Sequence, residues 1–317
     1  MNPLVSILIP VYNRETIIAE TIACAINQTY KNIEIIICDN ASTDGTWNIL
    51  EEFAQKDSRI KIFRNEENLG PVLNWKRCFD NATGEYGKIL WSDDLISETF
   101  VEHTLPLFDD NTAFVLSGIR LFFSDPNVAF KESTYQEKKV YPVDEYFNDM
   151  LIYLKKGFPV SPACVLFRMD DLRKSFVIEI PNGENLDFKT CGAGNDLLFC
   201  LLTAGRYKII KTVNKIEAFY RCTGDSLTML NINKIVVYYA WAEYYFVNNY
   251  RKDLLRKFKA RLFVFRLYKK GYDKIYEAVK VRPSTTCCLY LIFDTIKTKI
   301  LSKSYILKKG QIVDMDL

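Results

Sequence analysis

Two neighbouring carboxylates, Asp93 and Asp94, close the stretch "YGKILWSDD" directly after an apolar run. Adjacent acids at the end of a buried strand repel each other unless a cation or hydrogen-bond donors lie between them. Local sequence leaves two readings open. "DDLISETF" can begin a helix, with one acid as its N-cap and the other solvated. Alternatively, the pair holds a divalent cation, Mg²⁺ or Mn²⁺. Hard cations take carboxylate oxygens, and Mg²⁺ keeps several waters while borrowing oxygens from a substrate's phosphates. One or two carboxylates suit a metal–diphosphate ligand and are too few for a calcium cage. Upstream, Tyr12 offers an aromatic face to a nucleotide base, and Asp39 offers acceptors to a base N–H.

These residues sit at the ends of elements that the apolar pattern defines. "LVSILI" (4–9) and "IEIIIC" (33–38) are continuous apolar runs, as in strands buried on both faces of a parallel sheet. Between them, Ile17, Ile18, Thr21, Ile22, Ala25 and Ile26 make one helical stripe. Asn13 is placed to cap that helix and Glu15 to sit in its first turn. Residues 44–56, then 71–82 with Pro71 at the start, then 98–109 read as further helices, and "IKIFR", "YGKILW" and "AFVLSG" as further strands. The alternation predicts an α/β fold with a doubly wound, mostly parallel sheet. Ligands in such sheets bind beyond the carboxyl ends of the strands. "PVYNR" (10–14), "DNASTDGT" (39–46) and "SDD" (92–94) occupy those ends and should open onto one rim.

Later segments are less regular. "VSPACVLFR" precedes a Gly/Asn-rich loop, the helix "LLFCLLTAG" and two strands, "YKIIK" and "IEAFYR". From 231 the pattern is helical and rich in aromatic and basic residues. The chain is therefore divided at 230: an α/β domain over 1–230 and a helical basic-aromatic region over 231–317.

Composition narrows the class. The 317 residues are about half apolar and a quarter charged, ordinary for a chain with a sizeable core. Nine cysteines, an odd number with no C-x-x-C, fit buried free thiols rather than a disulfide frame or a zinc site. A single histidine, His103, gives little support to a His-rich metal site or a Ser-His-Asp triad. "VSILIPVY" is too short and lacks the basic lead of a leader, and no run approaches a membrane span, so the expected location is cytoplasmic. Residues 251–309 carry 17 Lys/Arg against 4 Asp/Glu, a net +13, while the rest carries −10. That basic region reads as a packed helical appendage with a solvated face, as a surface for anionic lipid at the inner face of a membrane, or as a partner contact. No RRM, KH or zinc motif supports nucleic-acid binding. The first βα turn has no G-x-G-x-x-G, and no P-loop is present.

"VSILIPVYNR", "ICDNASTDGT" and "NLGPVLNWKRCFDNATGEYGKILWSDD" follow one another in order and spacing. Together they resemble the family 2 glycosyltransferases, inverting enzymes of the GT-A fold from bacterial polysaccharide synthesis, over about residues 3–225. The resemblance implies a nucleotide-sugar donor, UDP-linked, and a growing polysaccharide or lipid-linked glycan as acceptor. It places Pro10, Val11 and Tyr12 in the base pocket and Asp39 on the uracil N3–H. It assigns Asp93 and Asp94 to ribose and metal, with Asp94 the direct ligand. Asn74 matches a position facing the donor, and helix packing serves equally well. Ser42, Thr43 and Asp44 belong to the motif and also suit a turn and helix cap. Arg221 matches a residue that meets the diphosphate or pairs with an acid. Two departures stand out: Trp91 replaces the first acid of an Asp-x-Asp-Asp pattern, and Thr223 stands where many members have histidine.

With one histidine poorly placed, the general base for an acceptor hydroxyl should be a carboxylate. Asp196, in "GAGNDLLFCLLTAG", matches the acid that family members place before a helix on the acceptor side, and a cap is its alternative role. A non-catalytic nucleotide-sugar-binding protein and a nucleotidyltransferase are the competing classes. The latter wants a Gly-rich basic loop that "PVYNRE" does not supply. Residues 120–160 and 182–195 are expected to shape the acceptor site.

Overall fold

The computed structural model describes residues 2–133, 138–153, 158–222, 232–266 and 275–277. Ten strands are present among these residues: β1 (Val5–Val11), β2 (Ile33–Asp39), β3 (Ile60–Arg64), β4 (Tyr86–Ile89), β5 (Leu95–Ile96), β6 (Thr112–Phe122), β7 (Ala129–Ser133), β8 (Val140–Pro142), β9 (Val165–Arg168) and β10 (Ile209–Arg221). The helices are α1 (Ile18–Ile26), α2 (Thr46–Lys56), α3 (Pro71–Asn81), α4 (Phe100–Thr104), α5 (Val143–Asn148), α6 (Met169–Lys174), α7 (Phe188–Cys191), α8 (Asn195–Ala204), α9 (Ile232–Tyr250) and α10 (Leu255–Arg266).

The strands form one sheet in the order β3-β2-β1-β4-β9-β6-β10-β5, with β7 beside β6 and β8 beside β10. Its first four strands are parallel, as the continuous apolar runs require. Every residue of β1 and β2 is buried. Alternate side chains serve opposite faces: Ile7, Ile9, Ile35 and Ile37 meet Ile18, Ile22 and Leu50 of α1 and α2, whereas Leu8, Ile36 and Cys38 meet Val72, Trp75 and Cys78 of α3. β9 then inserts antiparallel between β4 and β6, and β6 runs parallel to β10. The seven cysteines among the described residues are free.

Several expected elements differ. The stretch after the acid pair does not begin a helix. It is a tight turn leading into β5, which pairs with Ala218 and Phe219 of β10. The helix expected over 98–109 shrinks to α4 and a 3-10 turn at Leu105–Leu107, where Pro106 interrupts it. "YKIIK" and "IEAFYR" are a single strand, β10, whose polar Asn214–Lys215 break is absorbed as register shifts against β6. Asn13 does not cap α1. It adopts φ +50 and bonds the β2–α2 loop, while Glu15 accepts from the Gly45 N–H at 2.6 Å.

α9 and α10 pack on the same apolar cluster as α3 and α8, through Ala240, Trp241, Phe246, Phe258 and Leu262. Their junction is fixed by an ion pair between Arg261 and Glu243, both buried, and by Arg261 donating to Leu151 O at 2.8 Å. The guanidinium lies between the rings of Phe258 and Phe265. Arg261→Met strands the buried Glu243 charge and is expected to cost about 3–5 kcal/mol. Denaturant unfolding measures this, and adding Glu243→Gln should restore most of the loss. No described helix is long and apolar enough to cross a membrane.

Candidate active site

Strand register sets the rim. Val11 pairs with Asp39, and Asp39 with Arg64, so the carboxyl ends of β1, β2 and β3 line up in one row. Beyond them, the three polar segments are stitched together. Asn13 Oδ1 accepts from the Thr43 N–H at 2.9 Å, and the Asn13 N–H donates to Ser42 Oγ at 2.9 Å. Arg14 donates its backbone N–H to Thr46 and reaches Asp93 Oδ2 with Nη2 at 3.4 Å. The three segments expected to share a rim therefore do so. Arg14 ends "PVYNR", yet no local pattern assigns it to the acid pair 79 residues away.

Tyr12 leaves β1 with its side chain 39% exposed, in contrast to buried Pro10 and Val11. Asp39 is fully buried, accepts from the Ser42 N–H and hydroxyl, and pairs with Arg64 Nε at 3.3 Å. Ser42 and Asp44 thus serve the turn: the Asp44 carboxylate accepts from the N–H groups of Glu15 and Thr46. Asn74 is buried in α3, donating to Cys38 O at 2.8 Å and accepting from Asn65 at 3.1 Å. Those bonds fasten α3 to the end of β2.

At the acid pair, the turn is closed by the Asp94 N–H to Trp91 O and by Thr21 donating to Ser92 O and Asp94 O. Asp94 is 2% exposed. Its Oδ1 accepts from the Arg221 N–H at 3.0 Å, whereas its Oδ2 is buried with no hydrogen-bond partner among the described residues. Burial, then the Asp93 charge, pushes Asp94 well above the usual carboxylate range, against the Arg221 amide and the ammonium of Lys88. Burial also raises Asp93, opposed mainly by Arg14. Lys88 is itself buried in β4, donating to Ala163 O and lying 4.5 Å from the Phe100 ring centroid, and burial brings it down to about 8. Arg221 pairs with Glu20 at 2.5 Å and donates to Asp93 O at 2.9 Å, so its guanidinium braces the turn. Glu20 carries no sequence signal for that role beyond its place on α1. Thr223 lies outside the described residues.

The residues fit a divalent cation. A buried, unpartnered carboxylate oxygen beside a second acid costs free energy that a cation relieves. Among the described residues, no cluster of three or more metal-ligating side chains occurs, and Mg²⁺ commonly completes a small protein ligand set with waters and substrate phosphate oxygens.

Asp196 opens α8 and is 7% exposed. Its Oδ1 accepts from Gly194 N at 3.0 Å and Leu197 N at 2.9 Å, and its Oδ2 accepts from the Tyr239 hydroxyl at 2.9 Å. Burial raises it to about 7, against these three bonds. The Asp196 loop is joined to the acid-pair strand through two indoles. Trp91, in place of the family acid, lies 5.0 Å from Trp75 between ring centroids and donates to Ser161 at 3.0 Å. Trp75 in turn sits under Gly192, where an added Cβ would come within 2.9 Å of its ring at φ +76.

The family model described as Glycosyl transferase family 2 matches residues 6–176, more than half of the chain. The chain belongs to glycosyltransferase family 2. This family 2 chain is 36% identical over 116 residues to an uncharacterized glycosyltransferase of Haemophilus influenzae, covering 37% of this chain and 46% of that one. It is 40% identical over 111 residues to the Escherichia coli UDP-Glc:alpha-D-GlcNAc-diphosphoundecaprenol beta-1,3-glucosyltransferase WfaP, covering 35% and 43%. The matches span less than half the length of these curated relatives. Among solved structures, S. aureus TarS 1–349 in complex with UDP-GlcNAc aligns at TM-score 0.58 and 16% identity, covering 98% of this chain and 93% of that one. The mannosyltransferase PcManGT from Pyrobaculum calidifontis, in complex with GDP-Man and Mn²⁺, aligns at 0.53 and 14%, covering 94% and 87%. These likenesses show that the family 2 chain has the GT-A fold.

Proposed function

We propose that this protein is an inverting glycosyltransferase that moves a sugar from a UDP-linked donor to a hydroxyl of a growing surface polysaccharide or lipid-linked oligosaccharide. The observation that carries the reading is the unpartnered Asp94 Oδ2, buried beside Asp93 on the rim that also holds Tyr12 and Asp39. In this reading Pro10, Val11 and Tyr12 bound the base, and Asp39, held by Ser42 and Arg64, accepts from its N3–H. Asp93 faces the ribose, and Asp94, with Asp93, holds Mn²⁺ or Mg²⁺. A bound cation neutralises charge developing on the leaving diphosphate. Asn74 supports the pocket from α3, and Arg221 keeps the acid turn in place.

Asp196 takes the proton from the acceptor hydroxyl. The new bond forms between that oxygen and the anomeric carbon, on the face opposite the carbon–oxygen bond to diphosphate. The latter breaks with its electron pair going to the phosphate, which inverts the centre. A base whose proton leaves near neutral pH is matched to this task. The UDP-GlcNAc complex of TarS and the UDP-Glc donor in WfaP's name support a UDP-linked donor, and WfaP's diphosphoundecaprenol acceptor supports a lipid-linked one. Residues 1–230 form the donor-binding and catalytic domain. The basic region over 251–309, most of which lies outside the described residues, would bring it to anionic lipid at the cytoplasmic face of a membrane.

A donor screen tests the reading. Nucleotide sugars are added with and without Mn²⁺, and unfolding temperature and nucleotide release are measured. UDP-sugars should raise the unfolding temperature only with the cation, while GDP- and ADP-sugars do not. A screen in which UDP compounds give no cation-dependent shift sinks it.

A further inference from the structure

Helix α9 belongs, by sequence, to the part of the chain beyond the α/β domain, yet it is packed directly on the loop that carries Asp196. At Gly194, with φ +89, an added Cβ would stand 2.9 Å from Tyr238 O and 3.0 Å from Ala242 Cβ, both on α9. Trp241 donates to Glu184 at 3.2 Å, and the Tyr238 and Phe188 rings meet at 4.9 Å. α9 therefore grips both arms of this loop. Within that grip, the two oxygens of Asp196 are held differently. Oδ1 is fixed by backbone N–H groups of its own loop and helix, whereas Oδ2 is held by one side chain from α9, the Tyr239 hydroxyl.

We propose that Tyr239 is the positioning residue for Asp196: its hydroxyl orients Oδ2 and favours the ionised carboxylate, making α9 part of the catalytic apparatus. The proposal rests on Asp196 being the base. A hydrogen bond donated to a carboxylate stabilises its charged form. The other titratable groups around the pair are Cys191 at the end of α7, Cys200 one turn along α8, and Tyr220 of β10 beside Tyr239, with Asp187 beyond Cys191. Burial raises the thiols of Cys191 and Cys200, and the Tyr239 hydroxyl is the side chain that donates to Oδ2. Asp196 is already raised to about 7 by burial with that bond in place. Without it the carboxyl keeps its proton to higher pH.

The test uses the full chain and the isosteric Tyr239→Phe, with two readouts. In the first, unfolding stability is followed against pH. A raised carboxyl withdraws stability as pH climbs from its ordinary value toward its folded one. In Tyr239→Phe that decline should extend about one unit further up than in the wild type, and Asp196→Asn should erase the difference between Tyr and Phe. In the second, UDP release from UDP-glucose and UDP-N-acetylglucosamine with Mn²⁺ is followed against pH. The acid limb should move up by about one unit, with an about fivefold loss at pH 7 that recovers in alkali. If Asp196→Asn releases UDP at the wild-type rate, the base assignment falls. If Asp196→Asn is impaired while Tyr239→Phe leaves the acid limb and the stability profile unmoved, the positioning role falls. An unmoved stability profile overturns it even if neither sugar is turned over.

Discussion

Asp94→Asn is expected to weaken cation-dependent UDP binding by about 100-fold or more, equivalent to about 2.7 kcal/mol, while the protein remains folded. Asparagine keeps the Oδ1 acceptor that the Arg221 N–H uses, so the turn survives. It removes the charge that burial and Asp93 both disfavour, so stability should hold or rise. Only the ligand for a cation is lost. Calorimetric titration of UDP with and without Mn²⁺ reads the effect: the wild type gains affinity from the cation and the variant does not. Because Asp94 and Asp93 hold their protons more tightly than ordinary carboxylates, cation affinity should also strengthen as pH rises, with protons released on binding. A variant that responds to Mn²⁺ as the wild type does excludes Asp94 as the ligand.

Asp196→Asn carries the second large effect. Loss of a general base is expected to lower turnover by about 10²–10⁴-fold. Donor binding should persist, because Asp39, Tyr12 and the acid pair are untouched. The competing role, a helix cap, makes a different prediction. Asparagine retains an oxygen for the Gly194 and Leu197 N–H groups, and a lost cap costs about 1 kcal/mol without touching turnover. Stability separates the two further. The folded carboxyl binds its proton more tightly than the unfolded one, so the folded state loses stability as pH rises from the ordinary carboxylate range to about 7. At pH 8, Asp196→Asn should therefore be more stable than the wild type, by about 2–4 kcal/mol. Lower activity with higher stability marks a group kept in a costly setting for its chemistry. Near-normal turnover would remove Asp196 from the mechanism.

The elements that the sequence made legible are those with one dominant local signal. β1 and β2 read as buried parallel strands because no polar residue interrupts Ile7–Ile9 or Ile35–Ile37, and Pro71 marks the start of α3. The rim followed from where such strands must end. What escaped was decided by distant pairing. One of the two open readings of Asp93-Asp94 was a helix start, because acids favour first turns, yet β10, more than a hundred residues later, claims Leu95 and Ile96 as a strand. "VSPACVLFR" gave no sign that β9 would enter the sheet antiparallel. Asn13 and Glu15 suited a helix start and instead brace the β2–α2 loop, which offered free N–H groups at Thr43 and Gly45. In the same way Asp39, Asp93 and Asp94 stand out by type and by their place at strand ends, whereas Asp196 stands out only through the family resemblance. Their partners Arg64, Arg14 and Tyr239, and the Glu20 that pairs with Arg221, could not, since each contact joins segments whose proximity only the fold creates.

The most direct measurement is anomalous diffraction at the manganese edge from crystals grown with UDP and Mn²⁺. The expected result is a manganese peak against Asp94 Oδ2 and the diphosphate, with the uracil between Tyr12 and Asp39. Manganese bound elsewhere, or UDP seated on the rim with no manganese at Asp94, would contradict the cation clamp.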